Sequence, residues 1–186
     1  MVWSPLAPPC QNETAKTRWR AVPYTAGKGL DIGCGLERLF DTEFVIGIDN
    51  GQDAGKHNIV ANMKLDARDL SQLAGGSWDF VYSSFLLQYF PYKDVPNVLR
   101  DWMRLLKVGG CLSLYLPDSE QYPKCAEPEL EIFAEAGSNP EQKWNVTYKR
   151  LVAALEKVAF NWDLVEYQVC GSDDEYALWF VIRRLK

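Results

Sequence analysis

The chain has 186 residues, 47% of them hydrophobic and 13% aromatic, with a formal net charge of -5. That is ample apolar content for one packed domain and excludes a chain disordered throughout. The 20 basic residues are scattered rather than gathered in a stripe, which argues against a nucleic-acid partner, and five cysteines without a CxxC pair read neither as a disulfide framework nor as a zinc site.

Residues 1–27 read as an N-terminal extension and 28–186 as a single domain. The first nine residues lack a basic start and a long apolar core, and no run of about 18 apolar residues occurs anywhere. The expectation is a soluble, cytoplasmic protein with no membrane partner. A first strand over 30–32 ends in Gly33-Cys34-Gly35, and a second over 44–48 ends at Asp49. Between Gly35 and Phe44 there is room for about two helical turns, so a very short crossover helix is expected. A third strand within 59–65 is weakly marked; a fourth covers 78–82. Val95, Val98, Leu99, Trp102, Leu105 and Leu106 form one helical face, with Lys107 and Gly109-Gly110 as its stop. A fifth strand covers 111–116. Leu151, Val152, Leu155, Val158 and Ala159 again fall at helical spacing, ahead of two apolar runs, 164–169 and 176–182, joined by Gly171-Ser172-Asp173-Asp174 as a hairpin. The fold class is therefore α/β, a mostly parallel sheet closed by an antiparallel C-terminal hairpin. Its ligand belongs beyond the carboxyl ends of strands one, two and four. Only 117–140 forms a long stretch with no assigned element.

The motifs fall at that edge. Gly33 and Gly35 suit a strand-to-helix turn with bare backbone for a ligand, and Asp49, 14 positions after Gly35, is placed to accept from a ribose diol. A dinucleotide fingerprint would need a third glycine where Arg38 stands, and no Walker lysine follows Gly35. A nucleoside without a phosphate, S-adenosylmethionine, fits better. The plainer readings are a tight turn for the glycines, a strand-end cap for Asp49 and a helix cap for Asp66.

In order and spacing, Leu30-Asp31-Ile32-Gly33-Cys34-Gly35, Ile46-Gly47-Ile48-Asp49, Asp66-Ala67-Arg68-Asp69-Leu70, Trp78-Asp79-Phe80-Val81-Tyr82-Ser83-Ser84 and Leu105-Leu106-Lys107-Val108-Gly109-Gly110 resemble a class I S-adenosylmethionine-dependent methyltransferase. That likeness implies a Rossmann-like fold with a seven-stranded sheet. More narrowly, Tyr82-Ser83-Ser84, Leu114-Tyr115-Leu116-Pro117-Asp118, Asp163-Leu164-Val165-Glu166 and Asp174-Glu175-Tyr176 look like a small bacterial and phage subgroup. By resemblance Gly33, Cys34 and Gly35 lie against the methionine part of the cofactor, and Asp31 orients its ammonium through the loop. Asp49, with Asn50 beside it, takes the ribose; Asp66 and the Ala67 amide take adenine, with Asp69 as the rival acid; Ser83 lines the methionine end.

Relatives often read Ser-Ser-His-x-Leu-Glu-His after strand four and Asn-Pro-Asp-His-Lys-His in the later loop. Here the positions read Ser83-Ser84-Phe85-Leu86-Leu87-Gln88-Tyr89 and Asn139-Pro140-Glu141-Gln142-Lys143-Trp144, without a histidine. No base or metal ligand is then assigned, and no metal is expected. The single histidine, His57, reads as a surface loop residue. Asp118 and Tyr89 are the catalytic candidates, and Phe85, Tyr89, Trp144 and Tyr122 could line an acceptor pocket or pack in the core. Cys34 is assigned no nucleophilic role. Two functions follow: methyl transfer to a small-molecule or glycan acceptor, or a catalytically degenerate binding or structural protein of this fold, possibly phage-associated. Oligomeric state is not legible.

Overall fold

The computed structural model describes residues 13–51, 60–121, 125–127, 141–172 and 175–186. Its strands are β1 (Gly29–Ile32), β2 (Val45–Asp49), β3 (Met63–Lys64), β4 (Trp78–Ser84), β5 (Leu106–Pro117), β6 (Trp162–Ser172) and β7 (Glu175–Arg184); its helices are α1 (Glu13–Ala21), α2 (Val95–Leu105) and α3 (Tyr148–Leu155). They form a seven-stranded sheet in the order β3-β2-β1-β4-β5-β7-β6. The pairs from β3 through β5 are parallel, and β5–β7 and β6–β7 are antiparallel. The strand order reverses between β1 and β4. A crevice outside their carboxyl ends is where such sheets bind ligands.

Alternation along the strands separates two cores. Leu30, Ile32, Val81, Leu112, Leu114 and Phe180 pack under α2 and α3, where Val98, Leu99, Trp102, Leu151 and Leu155 are buried. The opposite face carries Phe80, Tyr82, Tyr115, Trp179 and Val181, with Ala21 of α1 buried against it. Within the stretch read as an extension, Thr17 and the Tyr82 hydroxyl lie 2.7 Å apart, and the Tyr24 hydroxyl donates to Glu166 at 2.7 Å. These bonds tie the segment ahead of β1 to the face away from α2. In α2, Pro96 occupies the first turn, where the N–H it lacks would have no helical partner. In α3, the Thr147 hydroxyl caps the Arg150 amide at 3.2 Å.

Several boundaries differ from the expectations. The crossover between β1 and β2 holds turns and no helix: Glu37 N–H donates to Cys34 O at 3.2 Å, Val45 N–H to Thr42 O at 3.3 Å, and the Arg38 guanidinium donates to Asn62 at 2.9 Å. Side-chain anchors replace the helical ladder across a span too short for both. Leu106 opens β5 directly after α2, so Lys107 and Gly109-Gly110 lie within that strand; between the Trp78–Leu106 and Phe80–Cys111 pairs four residues on β5 oppose one on β4, and Gly109 takes φ +87°. Phe44 stands outside β2, and α3 ends before Val158 and Ala159. Among the described residues, no helix is long and apolar enough to cross a membrane.

Gly29 shows how tightly β1 meets β4. A Cβ there would lie 2.2 Å from the fully buried Phe80 ring. Gly29→Ala should therefore lose about 2 to 3 kcal/mol, the upper part of the range for overpacking, in urea unfolding; a loss below about 0.5 kcal/mol would show that the ring yields freely.

Candidate functional site

The turn after β1 is shaped from below. Gly33 and Cys34 N–H both donate to Ile48 O, at 2.7 and 3.1 Å, so the loop is hung from the end of β2. Gly33 and Gly35 take φ of +76° and +55°, a region costly for L side chains. Asp31, 1% exposed, accepts the Leu39 N–H at 2.6 Å and so anchors the far end of the same loop. Burial pushes its carboxyl up to about 7, against that hydrogen bond and the Arg38 and Arg18 charges. Burial likewise pushes the Cys34 thiol up to about 12, which disfavours the thiolate near neutral pH.

Asp49 ends β2 with both oxygens engaged: Oδ2 accepts the Gly35 N–H at 3.2 Å and Oδ1 the Gly51 N–H at 2.8 Å. Each oxygen retains a lone pair for an incoming hydroxyl. Asp66 accepts the Arg68 backbone N–H at 2.9 Å and its guanidinium at 2.6 to 3.2 Å, which holds the carboxyl below the usual range. The loop carrying it is fixed by α2. Trp102 Nε1 donates to Ala67 O at 2.8 Å, Asp101 accepts the Leu70 N–H at 2.7 Å, and Arg104 donates to Leu70 O and Leu73 O.

Gly33, Asp49, Asn50, Asp66 and Ala67 line one cleft of about 50 Å³ at the β1–β4 reversal, together with Leu65, Leu86 and Phe90. Three residues to which no site role was given thus wall it. Leu86 and Phe90 could have been suspected from their place just after β4; nothing in the sequence distinguished Leu65. Asp31, Cys34, Gly35 and Ser83 lie beneath or beside the cleft: the Ser83 hydroxyl is fully buried and donates to Ile32 O at 2.8 Å.

Residues 30–114 match the family model described as Methyltransferase domain. Over that stretch the chain resembles a methyltransferase domain. No curated protein matches it in sequence. Among solved structures it is similar to the PH0226 protein of Pyrococcus horikoshii OT3, at 17% identity over 95% of this chain and 92% of that one with TM-score 0.66. An S-adenosylmethionine-dependent methyltransferase from Archaeoglobus fulgidus is 18% identical over 91% and 92% of the two chains, with TM-score 0.61. Magnesium protoporphyrin IX methyltransferase from Synechocystis PCC 6803, solved with bound S-adenosylmethionine, is 13% identical over 92% and 77%, with TM-score 0.58. At these identities the structural likeness is one of fold.

The donor set of the cleft fits S-adenosylmethionine in chemistry. The spare lone pairs of Asp49 and the Asp66 carboxylate meet the polar needs of an adenosine, and the bare backbone of Gly33 borders the same cleft. The two catalytic candidates are used differently from an open base. Asp118 is 3% exposed and caps its own turn, accepting from the Glu120 N–H at 3.1 Å and from Gln121 Nε2 at 2.9 Å. Tyr89 ends a 3-10 turn, Leu87–Tyr89, beyond β4, and does not line the cleft. Trp144 is core: fully buried, with its indole N–H on Leu87 O at 3.2 Å. The Phe85 ring lies 5.3 Å from Tyr115. His57, Tyr122 and Asn139-Pro140 lie outside the described residues.

Proposed function

We propose that this chain binds S-adenosylmethionine in the β1–β4 cleft and transfers its methyl group to a small-molecule or saccharide acceptor. The observation that carries this reading is the convergence of Gly33, Asp49, Asp66 and Ala67, from three separate loops, on one cleft at the sheet's reversal point. Bound S-adenosylmethionine would supply an electrophilic methyl group on a sulfonium. The chain's part is to hold ribose with Asp49 and adenine with Asp66 and Ala67, and to align the acceptor beyond the ends of β4 and β5. In-line displacement gains most of its acceleration from alignment, so the missing histidines do not forbid turnover. An acidic chain without a basic stripe supports a small or neutral acceptor over nucleic acid. Buried thiols at Cys34, Cys111, Cys125 and Cys170 support a reducing, cytoplasmic setting. The likeness to bacterial and phage relatives stands within the same proposal.

The test is calorimetric titration with S-adenosylmethionine and S-adenosylhomocysteine, with an acceptor screen using labelled methyl groups to follow. Micromolar binding with methyl transfer supports an enzyme; micromolar binding without transfer to any acceptor would favour the degenerate binding protein, which the turn-bound Asp118 already favours. Asp49→Ala should weaken cofactor binding by about 1.5 to 3 kcal/mol, the scale for hydrogen bonds to a charged group. Unchanged affinity would remove Asp49 from the ribose role.

A further inference from the structure

The cleft is much smaller than its ligand. The cleft offers about 50 Å³, whereas sites for small molecules and cofactors span roughly 300 Å³ or more. Some wall must therefore move. The polar walls are fixed: Asp49 is held by two backbone amides and Asp66 by Arg68. Ala67 is held to α2 through Trp102. The apolar walls Leu65, Leu86 and Phe90 have no such restraint on their side chains, and all three are half-buried.

Leu86 also stands at the critical place. Gly33 follows β1 and Leu86 follows β4, the two strands between which the order reverses, and a Cβ built on Gly33 would lie 2.6 Å from Leu86 Cδ2. The leucine thus rests directly on the glycine turn and bridges the crevice. Its direction is set by Phe85, the only described residue other than glycine with positive φ, at +48°. A bulky side chain rarely tolerates that conformation. It is held there by the Phe85 N–H on Tyr115 O at 2.8 Å and by the ring contact with Tyr115. The left-handed residue turns the chain off β4 and aims the next side chain back at Gly33.

We propose that Leu86 is a side-chain gate over the methionine end of the cofactor site: it closes the β1–β4 crevice and must swing off Gly33 for S-adenosylmethionine to enter. This rests on the cofactor reading above. When the closed state is favoured, apparent affinity is reduced by the fraction of molecules that are open. Trimming the leucine should therefore speed entry and tighten binding, the reverse of what loss of an ordinary ligand contact does.

The experiment is stopped-flow tryptophan fluorescence of the full chain with S-adenosylhomocysteine, for the wild type, Leu86→Ala and Leu86→Phe, each first verified to unfold cooperatively. The expected result is an association rate and an affinity about tenfold higher for Leu86→Ala, as follows from a tenfold rise in the open fraction, and lower values of both for Leu86→Phe. Wild-type binding with equal or weaker binding by Leu86→Ala would overturn the gate and leave the cofactor reading intact. Absence of binding by all three folded proteins would overturn both.

Discussion

Arg150→Ala should lower stability by about 3 to 5 kcal/mol, the cost of leaving one member of a buried ion pair uncompensated. Glu127 is 6% exposed, and its Oε1 accepts Arg150 Nη1 at 2.6 Å, the Asn145 N–H at 2.7 Å and Asn145 Nδ2 at 2.9 Å. Asn145 in turn pairs with the Cys125 backbone at 2.7 and 3.2 Å. The Arg150 guanidinium lies 4.3 Å from the Tyr92 ring and 5.3 Å from Trp144, adding cation–π contact on its apolar side. Burial pushes the Glu127 carboxyl up, but the bonds from Arg150 and the Asn145 amide outweigh it and hold the group below the usual glutamate range. The sign follows: a lowered carboxyl contributes stability above its unfolded pKa and loses it as pH falls through the folded one. Urea unfolding at neutral pH measures the loss. A value below about 1 kcal/mol, that of an exposed pair, would mean that Glu127 rehydrates when Arg150 is removed. The clasp joins residues 125–127 to the start of α3, so such a variant should also loosen the chain beyond β5 before the sheet unfolds.

Gly33→Val should abolish detectable cofactor binding, a loss of at least 100-fold, which is about 2.7 kcal/mol. Two causes act together. Gly33 takes φ +76°, where a branched side chain is disfavoured by about 1 to 2 kcal/mol. Its Cβ would also meet Leu86 Cδ2 at 2.6 Å, so that either Leu86 or the turn must shift. The turn is hung from Ile48 O, and a shift there carries the Gly35 amide away from Asp49. Titration of the folded variant with S-adenosylhomocysteine is the measurement; wild-type affinity would place the ligand away from this turn.

Local patterns carried much of the architecture into view. The cores of β1, β2, β4 and β5 and the closing hairpin follow from short apolar runs bounded by turn residues, and the apolar face of α2 from a period of 3.6. That Asp49 and Asp66 lie at the sheet's carboxyl edge was legible for the same reason: each is an acid at the end of an apolar run or turn, a local property, and both line the cleft. What depended on distant partners was not legible. α1 is polar, and its docking needs Tyr82 and Leu39. The absence of a helix after Gly35 depends on Asp31 and Arg38 reaching across to backbone and to Asn62.

The sequence by itself determined a mostly parallel α/β sheet with a C-terminal hairpin, and acids at its carboxyl edge, because apolar runs, turn chemistry and strand-end acids are written in neighbouring residues. Only the tertiary structure decided which side chains face that site. It turned Asp118 into a turn cap, buried Trp144 in the core, and set Leu86 against Gly33 across the crevice. The placing of Trp144 and of Leu86 depends on contacts between segments more than 50 residues apart, which leave no periodic trace in the chain, whereas the Asp118 cap closes within three residues.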